Sequence, residues 1–160
     1  MYQYLEGDVA GLSPTRLILD VGGVGYDLSV PLGSDFPPSG RARAWTHLVV
    51  REDSLTLFGF LDEDEKTCFE LLQTASGVGP KLAQAMLAVL SPDDLRAAVS
   101  GEDVKTLTRV PGIGQKGAQR IILELKDRLG APVGSRAVAA PRASQRWRDQ
   151  LRQGLQGLGW

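Results

Sequence analysis

One segment of this chain is written twice, and that duplication constrains the fold more than any other feature. Ser76-Gly77-Val78-Gly79-Pro80-Lys81-Leu82-Ala83-Gln84-Ala85-Met86-Leu87 returns 35 positions later as Pro111-Gly112-Ile113-Gly114-Gln115-Lys116-Gly117-Ala118-Gln119-Arg120-Ile121-Ile122. Five of the twelve pairs are identical, among them both glycines and the lysine, and three more exchange one aliphatic residue for another. The register also runs backwards, pairing Phe69 with Val104, Leu72 with Leu107 and Ala75 with Val110. A repeat of this period is one supersecondary unit used twice, here a helix, a Gly-aliphatic-Gly turn and a second helix.

Glycines on either side of one aliphatic residue give the backbone conformations that a Cβ would penalise. The aliphatic residue is free to point between the helices and pin the loop. Unpaired amide donors then meet the positive end of the following helix dipole, which makes an anion site. Lys81 and Lys116 add a full charge one or two residues on. Backbone amides cannot read base edges, so such a site grips nucleic-acid phosphate without regard to sequence. A plain αα-hairpin explains one copy as well, but two copies with lysine at one offset favour the anion reading. The candidate phosphate-binding set is Gly77, Val78, Gly79 and Lys81, with Gly112, Ile113, Gly114, Lys116 and Arg120. Arg120 lies one turn beyond Lys116, placed equally for that backbone or for solvent and an ion pair.

Charge restricts how DNA could be held. Lys and Arg number four against nine Asp and Glu in residues 1–63, nine against nine in 64–130, and five against one in 131–160. A DNA surface on so acidic a chain (pI about 5.8) must be a focused patch of amides and lysines. No apolar run approaches the roughly 18 residues of a membrane span, and no secretory signal opens the chain. The single cysteine, Cys68, excludes an internal disulfide, fits a reducing cytoplasm, and reads as a small apolar residue on a helix face.

Residues 1–62 pattern as strands. Leu17, Leu19 and Val21 share one face, and Tyr26, Leu28 and Val30 do so after Gly22-Gly23. Gly22-Gly23-Val24-Gly25 is a hairpin turn and not a dinucleotide fingerprint, because a strand follows it. Arg41 to Val50 and Leu55 to Phe60 form two more strands, and short strands between Gly and Pro turns suggest a small barrel. His47 lies within a strand without a second His or a Cys cluster, and reads as structural. Asp62 with Glu65 resembles a capping box opening a helix to about Thr74. Further helices start at Pro80 and at Ser91-Pro92, with a short one over 102–109 and a last one over 115–129.

The paired segments resemble helix-hairpin-helix DNA-binding motifs. Together with Asp20-Val21-Gly22-Gly23-Val24-Gly25-Tyr26, Val49-Val50-Arg51-Glu52-Asp53 and Leu125-Lys126-Asp127-Arg128, they make residues 1–130 resemble the RuvA family of Holliday-junction-binding subunits. The resemblance implies a multidomain β + α protein. Residues 1–62 would form an oligonucleotide/oligosaccharide-binding (OB) type β-barrel used in oligomerisation, and 63–130 a tandem helix-hairpin-helix domain. Residues 131–144 are rich in Pro, Ala, Gly, Ser and Arg and read as a flexible linker. Residues 145–160 carry one helix's worth of pattern through Trp147, Leu151, Leu155 and Leu158, which the resemblance implies is the first helix of a truncated motor-binding domain.

By itself Arg51-Glu52-Asp53-Ser54 is a solvated hairpin tip. The resemblance instead places Glu52 and Asp53 as an acidic pin at the centre of a homotetramer, at the junction crossover, with an octamer as the alternative assembly. It further implies four-way junction DNA as ligand, a RuvB-type hexameric ATPase as partner through the C-terminal domain, a RuvC-type resolvase as a further one, and no catalytic residue, metal or cofactor. In keeping with this, no Gly-x-x-x-x-Gly-Lys-Ser/Thr loop occurs. The sequence departs from the family where Gln115 replaces Lys or Arg and Gly117 replaces Thr or Ser, which weakens the second hairpin. Two other functions remain readable: a helix-hairpin-helix glycosylase, which needs a catalytic Asp farther downstream than Asp127 and a base-flipping pocket, and a protein-binding scaffold with idle hairpins.

Overall fold

The computed structural model describes residues 2–129; the expected linker (131–144) and terminal helix (145–160) lie outside the described residues. Five strands come first: β1 (Tyr4–Ser13), β2 (Arg16–Val21), β3 (Val24–Ser29), β4 (Arg41–Val50) and β5 (Leu55–Phe60). They close into a barrel in the order β1-β2-β3-β5-β4. β1 pairs antiparallel with both β2 and β4, and a single parallel bridge, Ser29 to Phe58, seals β3 against β5. That is the strand order of an OB-type barrel.

β1 has the least legible pattern of the five, since Gly7 and Gly11 interrupt its alternation. The structure explains Gly7: a Cβ there would lie 2.2 Å from the carbonyl oxygen of Asp20, so only glycine lets the strands approach. The β2–β3 turn is the expected hairpin. Gly22 and Gly23 both take positive φ (59° and 90°), and the Asp20 carboxylate accepts from the Gly23 amide at 2.8 Å. Alternate residues Leu17, Leu19, Leu28, Ala42 and Ala44 fill the barrel, and Phe36 from the β3–β4 loop joins them.

Five helices follow: α1 (Glu63–Leu72), α2 (Pro80–Val89), α3 (Pro92–Ser100), α4 (Val104–Leu107) and α5 (Gln115–Leu125). Asp62 caps α1 by accepting from the Glu65 amide, but Glu65 reaches back to the amide of Leu61 and not to the cap residue itself. Ser91 and Asp94 form a complete capping box on α3. α1 stops at Leu72, two residues before the expected end. α5 stops at Leu125, four short of it, and turns carry the chain to Leu129.

Barrel and helices share a core. Phe58 and Phe60 of β5 stack on Phe69 of α1 with ring centroids 5.1 and 4.7 Å apart, and one apolar cluster runs from those rings to Leu125 and Leu129. His47 sits against the edge of Phe69, in keeping with a structural role; burial lowers its pKa against the opposing pull of Glu70. Cys68 is fully buried, and desolvation pushes its thiol up to about 12, which removes thiolate reactivity. Arg96, also buried, forks onto Asp64, contacts Asp93 at 3.3 Å and donates to the Leu129 carbonyl, tying α1, α3 and the end of the described chain together. The Asp64 hydrogen bond leads the effects that raise its pKa.

Candidate nucleic-acid interface

The two copies of the repeat fold alike down to individual hydrogen bonds. Thr74, Ala75 and Val78 donate to Leu71, Leu72 and Ala75; 35 residues on, Arg109, Val110 and Ile113 donate to Thr106, Leu107 and Val110. Gly77 and Gly112 take φ of +81° and +94°, the left-handed region in which glycine is favoured. Gly79 and Gly114 begin α2 and α5 at φ −89° and −90°, both with ψ −179°. That is extended backbone open to any residue, so the sequence expectation that both glycines of each turn serve an unusual conformation holds only for the first of each pair.

Val78 and Ile113 point into the core, 6% and 7% exposed, as the pins expected. Their amides are spent on the carbonyls of Ala75 and Val110, so these two residues hold the turn and do not offer bare donors. The amides of Gly77, Gly79, Gly112 and Gly114 have no acceptor among the described residues. Neither α2 nor α5 has a side-chain cap, which leaves first-turn donors open beside each dipole end. A Cβ added at Gly77, Gly79 or Gly114 would meet nothing within 4 Å.

Both turns open on one cleft of about 270 Å³, bordered by Ser76, Gly77 and Leu82 on one side and Gly112, Lys116 and Arg120 on the other. Lys81, Lys116 and Arg120 are all exposed. One feature escaped the sequence reading. The Glu124 carboxylate, on α5, accepts from the Ser76 amide at 2.6 Å and from its hydroxyl at 2.8 Å. Those two bonds hold its pKa below the ordinary carboxylate range. Arg128, just past α5, donates to the carbonyl and hydroxyl of Thr74. The only sequence signal was that Ser76 faces Pro111 across the repeat.

Glu52 and Asp53 occupy the exposed tip of the β4–β5 hairpin, closed by the Arg51 amide donating to Ser54 at 2.8 Å. Val50 and Leu55, 66% and 72% exposed, flank them. Among the described residues no cluster of His, Cys, Asp and Glu could hold a metal ion, and no helix is long and apolar enough to cross a membrane.

A closed five-stranded barrel carrying two matched helix-hairpin-helix units defines a class of nucleic-acid-binding architecture. The family comparisons agree with the geometry: residues 1–59 match the RuvA N-terminal domain and residues 69–127 the SAM-like helix-hairpin-helix tandem. Along its whole length the chain is 64% identical to a protein of Nocardioides sp., covering 82% of it, and 57% identical to proteins of Streptomyces coelicolor and Acidothermus cellulolyticus, covering 80% and 81%. Each of these relatives is named as the RuvA subunit of the Holliday junction branch migration complex. The chain belongs to the RuvA family.

Proposed function

We propose that this protein binds four-way DNA junctions by their shape and holds them open for branch migration driven by a RuvB-type ATPase, without catalysis of its own. The observation that carries the reading is the pair Gly79 and Gly114. Nothing in their backbone angles or inside the fold requires glycine there, so the space that their missing side chains leave serves something outside. A sugar-phosphate backbone fits, because it would meet uncapped helix amides with Lys81 and Lys116 alongside.

In a homotetramer, eight such turns would engage the four arms at once, and multivalency converts weak phosphate contacts into tight, shape-selective binding. Glu52 and Asp53, gathered at the four-fold axis, would repel phosphates near the crossover. The repulsion lowers affinity for any duplex running through the centre and so selects an open junction. Work on chromosomal DNA in the cytoplasm, beside a motor and a resolvase, accords with this role.

The test compares a four-way junction with linear duplex of equal length in gel-shift titrations, for wild type and Glu52→Gln/Asp53→Asn. Strong junction preference is expected, with the double variant gaining duplex affinity. Affinity should fall with log[salt] at about 0.9 per phosphate neutralised. Equal binding of both DNAs would overturn the shape-selective reading, and a flat salt response would leave the scaffold reading.

A further inference from the structure

The repeat is broken at one chemically telling position. Pro111 leads the second Gly-x-Gly turn, and its ring fixes φ while removing an amide donor that would otherwise need a partner. The first copy has Ser76 in that place, with an amide N–H, a hydroxyl and an unlocked φ. Yet the two turns share the same hydrogen bonds and nearly the same angles at both glycines. Something must hold Ser76 where the ring holds its counterpart.

The geometry points to Glu124. We infer that its carboxylate, bridging the Ser76 amide and hydroxyl from α5, is a positioning residue that sets the first hairpin for phosphate and locks its orientation to the second. Ser76 and Glu124 are 48 residues apart in sequence, so the contact couples one hairpin's turn to the other's helix. Arg128 supports the same loop one turn later through Thr74. With the two turns lining a common cleft, the latch fixes their spacing, and fixed spacing lowers the ordering cost when both engage one DNA arm. This rests on reading the turns as phosphate grips. A different role for the same carboxylate, an anion occupying a donor that phosphate would otherwise take, predicts the opposite sign.

The test uses Glu124→Ala, Ser76→Pro and the double variant, each in the whole chain. Proline should fit at 76, since Ala75 keeps the hydrogen bonds of Val110, which precedes Pro111. Amide exchange in the DNA-free protein reads the latch itself: Glu124→Ala should speed exchange at Ser76 and Val78, whose amides are hydrogen-bonded, and leave Ile113 in the second turn unchanged. Junction titrations read the consequence. Glu124→Ala should bind about tenfold more weakly, the worth of one charge-assisted hydrogen bond, and the double variant should return to within about twofold of wild type, because the ring supplies what the carboxylate did.

Unchanged exchange, tighter binding by Glu124→Ala, or no recovery with Ser76→Pro each overturns the inference. If wild type itself failed to prefer the junction, the proposed function would fall, and the exchange experiment would still judge the latch.

Discussion

Substituting aspartate at both second glycines should raise stability while destroying function. Gly79 and Gly114 stand at the N-caps of α2 and α5 in the extended conformation that capping residues adopt, with no capping side chain. Aspartate is among the strongest N-caps and exceeds glycine there by a few tenths of a kcal/mol. A carboxylate beside the helix dipole adds about 0.3–1 kcal/mol. Replacing a glycine whose angles suit any residue adds about 0.4–1 kcal/mol through the unfolded chain. No neighbour lies within 4 Å of either new Cβ, so packing opposes none of this. The net gain is about 1 kcal/mol per site, or a rise in Tm of about 2–4 °C each for a chain of this size.

The same carboxylates would occupy the amides proposed for DNA and repel its phosphates. Losing charge-assisted bonds at one turn costs about 1.5–3 kcal/mol, or about 10- to 100-fold in Kd. Thermal melts and junction titrations on Gly79→Asp, Gly114→Asp and the double variant measure both quantities. Gly79→Ser, which caps without charge, separates occupation of the amides from repulsion. Variants that bind as wild type does, or that gain no stability, would refute the argument that these glycines serve an external partner.

Lys81→Glu should weaken junction binding more than Lys116→Glu, because Gln115 and Gly117 stand where the family resemblance leads one to expect a charge and a hydroxyl; equal or reversed effects in a titration would show that the two hairpins share the load differently. Arg96→Met should cost about 2–3 kcal/mol in chemical denaturation, below the about 3–5 expected for a fully buried pair, because Asp64 and Asp93 are about half exposed. His47 has a depressed folded pKa caused first by burial. Its stabilising contribution is therefore complete above the ordinary imidazole value of 6.5 and falls as pH drops below it, when the unfolded chain takes up a proton that the folded chain resists; a His47→Asn variant should lose that part of the pH slope in denaturant melts.

The sequence by itself determined whatever depends on local backbone chemistry. The 35-residue repeat announced two matched turns. Alternating Leu17 and Leu19, the Gly22-Gly23 turn and the Ser91-Pro92 start each carry their conformation in a few adjacent residues, and they fold as those residues dictate. Helix ends were less legible: α1 and α5 stop two and four residues before the expected ends, where the last turns fray and a sequence pattern marks no sharp boundary. Distant pairings left no periodic trace at all. Closure of β1 onto β4, the fusion of barrel and helices through Phe58, Phe60 and Phe69, and the Glu124–Ser76 bridge each join residues whose neighbours in sequence say nothing about the partner. The role of the glycines divides along the same line. Gly77 and Gly112 are glycine for a reason inside their own φ, whereas the freedom around Gly79 and Gly114 became visible only once the rest of the chain was seen to stay away from them.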